Sequence, residues 1–438
     1  MPNPLAEAAV ESIELDAFSK DIPDLIPKSQ TLYSFFKSNA TIIPVANVTA
    51  AGGVTRPSFR VPMRIQAGAA LAQGTGNADS LGRGTGSQWA AFALSPVFVY
   101  STCEITFLAR IATEGRKRGL FNVQAQELRN TFQQAMQGLE GLINADGAGD
   151  LDTIPSTATV NNGTGSGQSY SSIVGLNNAM AFTDQQTIQV FSSGGTNRGS
   201  FVISYVDPVT NTIYSASALP SGTTTTDSLV IAGAAGTAGS SILGLRAWQV
   251  NSNTGTIGGL SRANFPSRLS TPTINLSGGA ITLSTGVRAL TLLGRALGPE
   301  SEAIKNSAWY CGPDQGMAIS NLYYNVVIAN AQDVKGDKAL DMGKKMWPAT
   351  FANRELLVGW NALPGRLDLF TPDTWYIGEM LPLELYDFGG GITVAPVPDI
   401  TNGGYLTSSM FAYVCALNLA NSNVRAGLYV QNAAQPSI

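Results

Sequence analysis

Residues 58–66 read SFRVPMRIQ, residues 67–87 read AGAALAQGTGNADSLGRGTGS, and residues 88–106 read QWAAFALSPVFVYSTCEIT. Apolar and polar residues alternate in the first segment, which is the pattern of a half-buried strand. Pro62 indicates an edge strand or an exposed ribbon, because proline cannot donate a backbone hydrogen bond. The third segment predicts one or two further strands, broken at Pro96. Together the three segments predict a projecting hairpin.

The segment between the two predicted strands is rich in glycine and has almost nothing apolar to pack. A loop of this length without its own core is uncommon, and is usually functional or disordered. Ordering about 20 residues costs on the order of 1–2 kcal/mol each, so this loop is expected to order only against a neighbouring subunit. That points to assembly and not to chemistry. Its glycines are Gly68, Gly74, Gly76, Gly82, Gly84 and Gly86.

A long amphipathic helix is predicted after the hairpin, from about Asn122 to Asn144, with Asp146-Gly147 as its stop signal. Its length would be roughly 35 Å, at 1.5 Å per residue. Apolar residues recur there at steps of three and four, which is the spacing of a buried helix face. They are Leu128, Phe132, Ala135, Leu139 and Leu142.

The composition is that of a globular protein with an unusually uncharged surface. Hydrophobic residues make up 44% of the 438 residues, and charged residues only 13%, about half the usual ~25%. A surface poor in charge suits subunits that bury much of themselves against copies of themselves. A β-rich secreted protein would have a similar composition, so this observation alone leaves both possibilities open.

The chain contains no histidine. This excludes Ser-His-Asp and Cys-His nucleophile arrangements, and zinc sites that include histidine. Cys103, Cys311 and Cys415 lie far apart in apolar runs without a CxxC pair. They are expected to be buried free thiols in a reducing compartment.

Neither a signal peptide nor a membrane span is expected. The first residues, MPNPLAEAAVESIELDAFSK, lack a basic region followed by an apolar core, and no apolar run reaches ~18 residues. The formal net charge is −4, whereas proteins that grip DNA through its phosphates are normally basic. If this protein meets DNA, we expect it to enclose the DNA and not to clamp it.

The rest of the chain predicts an α+β protein. Residues 5–37 predict one or two short helices, and residues 41–54 an extended segment. Between 187 and 233 four strand-like runs alternate with turn residues, which indicates a small β-rich unit. Residues 287–297 and 316–330 predict helices around a short buried strand at 308–312, and two strands are expected near the C-terminus, MFAYVCALNL and RAGLYV.

This succession resembles the major capsid proteins of tailed double-stranded DNA phages, which share the Hong Kong 97-type fold. In that family an N-terminal arm precedes an extended hairpin, the E-loop. A long spine helix in the peripheral (P) domain and an axial (A) domain follow, and the chain ends in the P-domain sheet. The segment LRAWQVNSNTGTIGGLSRANFPSRLS (245–270) is similar to one found in those proteins, with Gly258-Gly259, Arg262 and Phe265 as its recognisable points.

The resemblance implies a full domain assignment. The N-arm would be residues 1–57, the E-loop hairpin 58–106, the P domain 107–275, the A domain 276–384, and the return to the P-domain sheet 385–438. Within the P domain, the spine helix would cover about 120–145 and a β-rich insertion about 187–233.

The resemblance also implies a non-enzymatic, cofactor-free shell protein. Its copies would form pentamers and hexamers of an icosahedral virion shell, assembled in the host cytoplasm. That shell would enclose double-stranded DNA without specific binding, with scaffold, portal and decoration proteins as further partners. Arg64 and Arg83 would lie over a neighbour's P domain. The implied intersubunit residues are Arg64, Gly68, Gly74, Gly76, Gly82, Arg83, Gly84, Gly86 and Trp89.

One departure from the family concerns covalent cross-linking. Some members join an E-loop lysine to a neighbour's asparagine, but no lysine lies between Lys37 and Lys117, so this shell is expected to be non-covalent. An encapsulin-type compartment of the same fold is the first alternative; the chain length and the β-rich insertion favour the phage protein. An extracellular carbohydrate-active enzyme or adhesin is the second, and secretion signals and repeats would favour it.

Three motifs suggest chemistry but have simpler explanations. Asn144, Asp146, Gly149 and Asp152 approach the spacing of a calcium loop, but Pro155 stands where a bidentate glutamate is needed, so a helix-ending turn is preferred. The glycine-rich runs at 82–87 and 163–167 lack the GK[ST] ending of a phosphate-binding loop. Carboxylates that could imitate a glycosidase pair lie in a proline-broken apolar stretch and are expected to be structural: Glu379, Glu384 and Asp387.

Overall fold

The structure is a computed structural model, and it describes residues 31–49, 55–66, 86–106, 123–163, 170–237, 239–298, 301–330, 348, 350–389, 391–398 and 405–434. The chain divides into two compact units. Unit 1 comprises residues 1–33, 97–241 and 379–417, and unit 2 comprises residues 34–96, 242–378 and 418–438. Each unit therefore contains segments that are distant in the sequence.

The described residues form seven α-helices and 24 strands. The helices are α1 (Thr31–Asn39), α2 (Val123–Asn144), α3 (Leu245–Trp248), α4 (Pro266–Leu269), α5 (Leu283–Leu297), α6 (Glu302–Lys305) and α7 (Pro313–Asn330). The strands are β1 (Thr41–Pro44), β2 (Ala46–Thr49), β3 (Thr55–Gln66), β4 (Gln88–Leu94), β5 (Val97–Thr106), β6 (Asp150–Thr153), β7 (Thr159–Asn161), β8 (Ser171–Val174), β9 (Thr187–Phe191), β10 (Asn197–Val202), β11 (Tyr205–Asp207), β12 (Thr212–Ser215), β13 (Ser228–Ile231), β14 (Thr256–Ile257), β15 (Leu260–Ser261), β16 (Thr273–Asn275), β17 (Ala308–Cys311), β18 (Thr350–Phe351), β19 (Arg354–Val358), β20 (Leu367–Phe370), β21 (Trp375–Leu385), β22 (Ala395–Pro398), β23 (Tyr405–Asn421) and β24 (Gly427–Gln431).

In unit 1, the long helix α2 packs on a sheet that contains β5 and β23. These strands pair antiparallel from Val97↔Leu417 to Thr106↔Ser408. One face of the pair meets the helix, where the rings of Phe132 and Tyr413 lie 5.3 Å apart. The prediction of a helix near 122–144 is confirmed. It ends as expected, with Asp146 Oδ1 accepting the Ala148 N–H.

The β-rich part of unit 1 consists of two four-stranded sheets. Their strand orders are β10-β9-β13-β6 and β11-β12-β8-β7. All of the strand-like runs between 187 and 233 are strands, as predicted. The two sheets also include β6, β7 and β8, which precede that range: β6 pairs with β13, β8 pairs with β12, and β7 pairs with β8.

In unit 2, a mixed six-stranded sheet has the order β16-β24-β20-β17-β19-β18. The predicted buried strand Ala308–Cys311 lies inside this sheet, paired on both edges. Helix α5 packs on it through Ala289 and Leu293, both fully buried. This helix begins earlier than the predicted residue 287, because the Thr282 hydroxyl accepts the Thr285 N–H at 3.2 Å and caps the first turn.

The two strands that were predicted near the C-terminus are present, and they join different sheets. Strand β23 pairs with β5, but β24 pairs with β16 and β20 in the six-stranded sheet of unit 2. Strand β24 is almost completely buried, and β23 is largely buried from Phe411 to Asn421, although Tyr405 and Leu406 at its start are exposed. Their apolar pattern therefore predicts that they are strands without identifying the sheet that each one joins.

Candidate interaction surface

The predicted hairpin is present in unit 2 as a three-stranded ribbon of the order β2-β3-β4. Strand β2 pairs with β3 only as far as Ser58, and β4 pairs with β3 from Phe59 onward. Pro62 opposes Ala91 of β4 and lies beyond the reach of β2. The missing N–H of this proline therefore faces a side without a strand among the described residues, in agreement with the sequence prediction.

The inner face of the ribbon is fixed to the core of unit 2. Phe59, Val61 and Phe92 are almost fully buried, and the Phe92 ring lies edge-on to Trp248 at 4.8 Å. The indole N–H of Trp248 lies 3.1 Å from the carbonyl oxygen of Leu243. Burying such a set of aromatic and branched side chains contributes about 1.5–3 kcal/mol each, so the base of the ribbon is held firmly.

Two close approaches explain why small residues face this ribbon. A Cβ atom on Gly378 would lie 2.1 Å from Cε1 of Phe59, and a Cβ on Gly258 would lie 2.8 Å from Cδ1 of Phe92. Gly258 also has a φ of +53°, which disfavours side chains. The carbonyl of Gly258 in turn accepts the Ala93 N–H at 3.1 Å. Glycine is therefore needed at both positions so that Phe59 and Phe92 of the ribbon can pack against the backbone there.

The outer face of the ribbon is basic and aromatic. Arg60 and Arg64 are exposed, and Arg64 lies directly opposite Trp89, whose side chain is 64% exposed. Strands β2, β3 and β4 contain no aspartate or glutamate. An exposed tryptophan beside exposed arginines is typical of an interface anchor, since Trp and Arg are enriched in binding hot spots.

The predicted intersubunit residues are only partly described. Arg64, Gly86 and Trp89 lie at the described end of the hairpin, and a Cβ on Gly86 would meet nothing within 4 Å. The remaining ones lie outside the described residues, so their contacts stay predictions. They are Gly68, Gly74, Gly76, Gly82, Arg83 and Gly84.

Unit 1 carries a second apolar surface, on strand β5. Phe98 is 60% exposed and Tyr100 is 72% exposed, and both point away from the face that meets α2. A cavity of about 430 Å³ lies beside this strand and is also lined by α2 and by residues 183–187 and 231–234. Exposed aromatic side chains at a sheet edge are a second candidate for contacts with other molecules.

A buried carboxylate on α2 was not recognised in the sequence. Glu140 is fully buried, and its two oxygens accept the backbone N–H groups of Leu32 and Tyr33, each at 2.7 Å. It therefore caps the first turn of α1. Burial raises the pKa of Glu140 to about 7, although the two hydrogen bonds oppose that rise. The sequence signal for this buried carboxylate is a glutamate that directly follows Leu139, a residue of the apolar face of α2.

The other polar motifs have structural roles. Asp152 is buried and accepts the N–H groups of Asn177 and Asn178, which fixes the turn that follows β8. Asp387 accepts the N–H groups of Gly389 and Gly391 in a tight turn. Asp146 forms the helix-ending turn that was preferred over a calcium loop, whereas Asp152 lies on β6 and holds a different turn.

The cysteines are free, as predicted: Cys311 and Cys415 are buried and Cys103 is half-buried. Burial raises the pKa of the Cys103 thiol to about 11 and that of Cys415 to about 12. Within the described ranges, no three Cys, Asp or Glu side chains are grouped so that they could hold a metal ion. No helix in the same part of the chain is long and apolar enough to cross a bilayer.

No protein-family model matches the sequence, and no curated protein is detectably similar to it. The structure is similar to the capsid asymmetric unit of cyanophage A-1(L), with 13% identity and a TM-score of 0.54 over 95% of this chain and 97% of that one. A chain of Gordonia phage Cozz matches with 9% identity and a TM-score of 0.47 over 95% and 91% of the two chains. The holo-SrpI encapsulin complex from Synechococcus elongatus PCC 7942 matches with 10% identity and a TM-score of 0.44 over 98% and 96%.

The first similarity carries the inference, because the other two TM-scores are below 0.5. It extends over nearly the full length of both chains, so it concerns the architecture of the whole molecule and not of one shared motif. The order of ribbon, long helix, β-rich sheets and mixed sheet also agrees with the family resemblance in the sequence. The chain therefore has the α+β Hong Kong 97-type capsid fold.

Proposed function

We propose that this protein is the major capsid protein of a tailed phage. Identical copies assemble as pentamers and hexamers into an icosahedral shell around double-stranded DNA, and the protein performs no catalysis. The observation that carries the proposal is the fold, shared with a cyanophage capsid chain over 95% of this sequence. Because fold alone does not fix function, surface features must support the assignment.

The outer face of the ribbon supports assembly. The ribbon carries arginines and an exposed Trp89. Binding to a protein surface with carboxylates would bury the Trp89 ring and pair the arginines with opposite charges, which favours association. In a shell built from one kind of chain, the partner is another copy. Glu384 and Asp387 of unit 1 are exposed carboxylates of the required sign. We propose that Arg64 and Trp89, with the adjoining glycine-rich segment and Arg83, contact the P domain of a neighbouring copy.

The charge of the chain supports enclosure of DNA without specific binding. A net charge of −4 gives no general attraction to phosphate groups. Packaged DNA would therefore slide against the shell and not adhere to it. Scaffold, portal and decoration proteins are further partners in this proposal, with assembly in the host cytoplasm and the virion as the final location.

The shell should be held by non-covalent contacts. No lysine lies between Lys37 and Lys117, so the segment that approaches a neighbour cannot supply an amine for an isopeptide bond. The stability of the assembly would then depend on many buried contacts. Substitutions of single contact residues should accordingly change assembly in a graded way.

The proposal is tested by expressing the full-length chain and measuring particle mass by sedimentation velocity. We expect capsomers or larger particles. Arg64→Ala and Trp89→Ala should shift the distribution toward free subunits, whereas Gln66→Ala, which removes an exposed uncharged side chain at the end of β3, should not. A stable monodisperse monomer over a wide range of salt and protein concentration would contradict the proposal.

A further inference from the structure

The sheet β11-β12-β8-β7 of unit 1 has two chemically different faces. The strand registers place Val206, Ile213, Ile173 and Val160 in one row across the sheet, and these residues form its apolar inner face. The neighbouring row, on the opposite face, consists of Tyr205, Tyr214, Ser172 and Asn161. In the outer row Ser172 is buried, whereas Tyr205 keeps 40% of its surface exposed, so burial in the fold does not explain this tyrosine.

Three tyrosines form a cluster on this outer face. The rings of Tyr205 and Tyr214 are stacked, with centroids 4.2 Å apart and planes inclined by 13°. Tyr170 stands nearly perpendicular to Tyr205, at 84° and 5.7 Å. Tyr170 is 42% exposed and Tyr205 is 40% exposed. The three rings thus form a pre-ordered corner, accessible to solvent, whose side chains lose little entropy when a ligand binds.

Hydrogen-bonding groups lie beside the cluster, and Asp207 is the charged one among those described. The amide of Asn161 donates to the Ser172 hydroxyl at 3.2 Å, and Asn161 itself is half-buried. Beside the tyrosines, the Thr210 hydroxyl donates to Asp207 Oδ2 at 2.6 Å. Asp207 Oδ1 also accepts the Val209 N–H, so this carboxylate is held in place by its own turn.

The face carries no positive charge. Strands β7, β8, β11 and β12 contain no lysine or arginine, and Asp207 is their only acidic residue. A nucleic acid or an acidic glycan would need cations that this face lacks. A ligand that matches it has an apolar surface for ring stacking and uncharged hydroxyl groups for short hydrogen bonds. Pyranose sugars combine these two properties.

We propose that the tyrosine face of this sheet, formed by Tyr170, Tyr205, Tyr214 and Asn161, is a binding site for neutral carbohydrate. A sugar ring packs its C–H face against the exposed tyrosine rings. Its hydroxyl groups bond to the amide of Asn161 and to the free lone pairs of the Asp207–Thr210 pair. The site goes beyond the proposed shell function, because it lets a particle that contains this protein adhere to surface polysaccharide.

The test uses the purified full-length protein in the assembly state that it adopts. Titration calorimetry with maltohexaose, cellohexaose and mannohexaose measures binding of neutral glycans, and oligogalacturonate serves as the acidic comparison. At least one neutral hexasaccharide is expected to bind. Tyr205→Ala should weaken that binding by about tenfold or more, and Tyr205→Phe should retain it, because stacking depends on the ring. Tyr405→Ala, which removes an exposed aromatic ring from β23 of a different sheet, should leave it unchanged.

Three results would overturn the proposal: no binding of any neutral hexasaccharide at millimolar concentration, binding of oligogalacturonate alone, or full affinity in Tyr205→Ala. If Tyr205→Ala changes the sedimentation profile without changing glycan binding, the face is a protein contact and the proposal also fails. Near-ultraviolet circular dichroism checks that each variant folds. If Tyr205→Ala does not fold, glycan affinity is measured with Asn161→Ala instead. Undiminished glycan affinity in Asn161→Ala would refute the proposed site. None of these measurements requires a closed shell, so they are independent of the proposed function.

Discussion

The buried carboxylate of Glu140 makes the stability of the subunit depend on pH in a calculable way. The pKa of this group rises from 4.5 to about 7 in the folded state because burial disfavours its charge. A carboxyl group whose folded pKa is raised binds its proton more tightly in the folded state than in the unfolded state. Its contribution to stability is therefore complete below about pH 4.5 and is lost as the pH rises through 7.

The magnitude follows from the size of the shift. A rise from 4.5 to about 7, at 1.36 kcal/mol per pH unit, corresponds to roughly 3 kcal/mol. Glu140→Gln removes the ionisation and keeps one acceptor for the N–H groups of Leu32 and Tyr33. The free energy of unfolding of the wild type, minus that of Glu140→Gln, should therefore fall by about 3 kcal/mol between pH 4.5 and pH 8.

The assay is urea unfolding of dissociated subunits at a series of pH values, with both proteins in the same buffers. Other titrating groups cancel in the difference between the two proteins. Gln126→Ala, at a half-buried position of the same helix that carries no ionisable group, is the control and should leave the difference from the wild type nearly constant. A difference for Glu140→Gln that is flat from pH 4.5 to 8 would refute the claim that burial raises the pKa of this carboxyl in the folded state.

Three further predictions concern the ribbon and the shell. Gly378→Ala should destabilise the subunit by about 1–3 kcal/mol in urea unfolding, since the new Cβ would lie 2.1 Å from Phe59. Wild-type stability in this variant would show that Phe59 does not pack against residue 378. Deleting residues 68–86 should leave the circular dichroism of the subunit nearly unchanged yet prevent shell formation, whereas an unfolded product would place the segment in the core. Boiled, reduced particles should run as single chains of 45.8 kDa in SDS, and a ladder of covalent oligomers would disprove non-covalent assembly.

Local patterns predicted the long elements of this fold well. The three- and four-residue spacing from Leu128 to Leu142 predicted α2 almost to its ends, and the alternation around Phe59 predicted β3. These elements are decided by burial of one face, which is visible in a single segment. The turn chemistry at Asp146-Gly147 was equally local, since the carboxylate and the glycine act within one turn.

Features that depend on distant partners could not be predicted in the same way. Strand β24 is buried from Gly427 to Val430 and carries no charged residue, so nothing in its sequence indicates which of two sheets it joins. Glu140 is identified as a cap only when Leu32 and Tyr33, more than 100 positions away, are seen to donate to it. The tyrosine row of the β-rich region likewise emerges only from strand register, because Tyr205 and Tyr214 belong to different strands and Tyr170 to a third segment.

Cryo-electron microscopy of particles formed by the purified full-length protein is the decisive test of whether this chain builds an icosahedral shell. We expect closed, round shells whose reconstruction places copies of this fold around fivefold axes. The ribbon β2-β3-β4 of each copy should lie against a neighbour, with density around Trp89. Well-folded protein that forms no closed particles under any assembly condition, or particles in which Trp89 faces solvent, would contradict it.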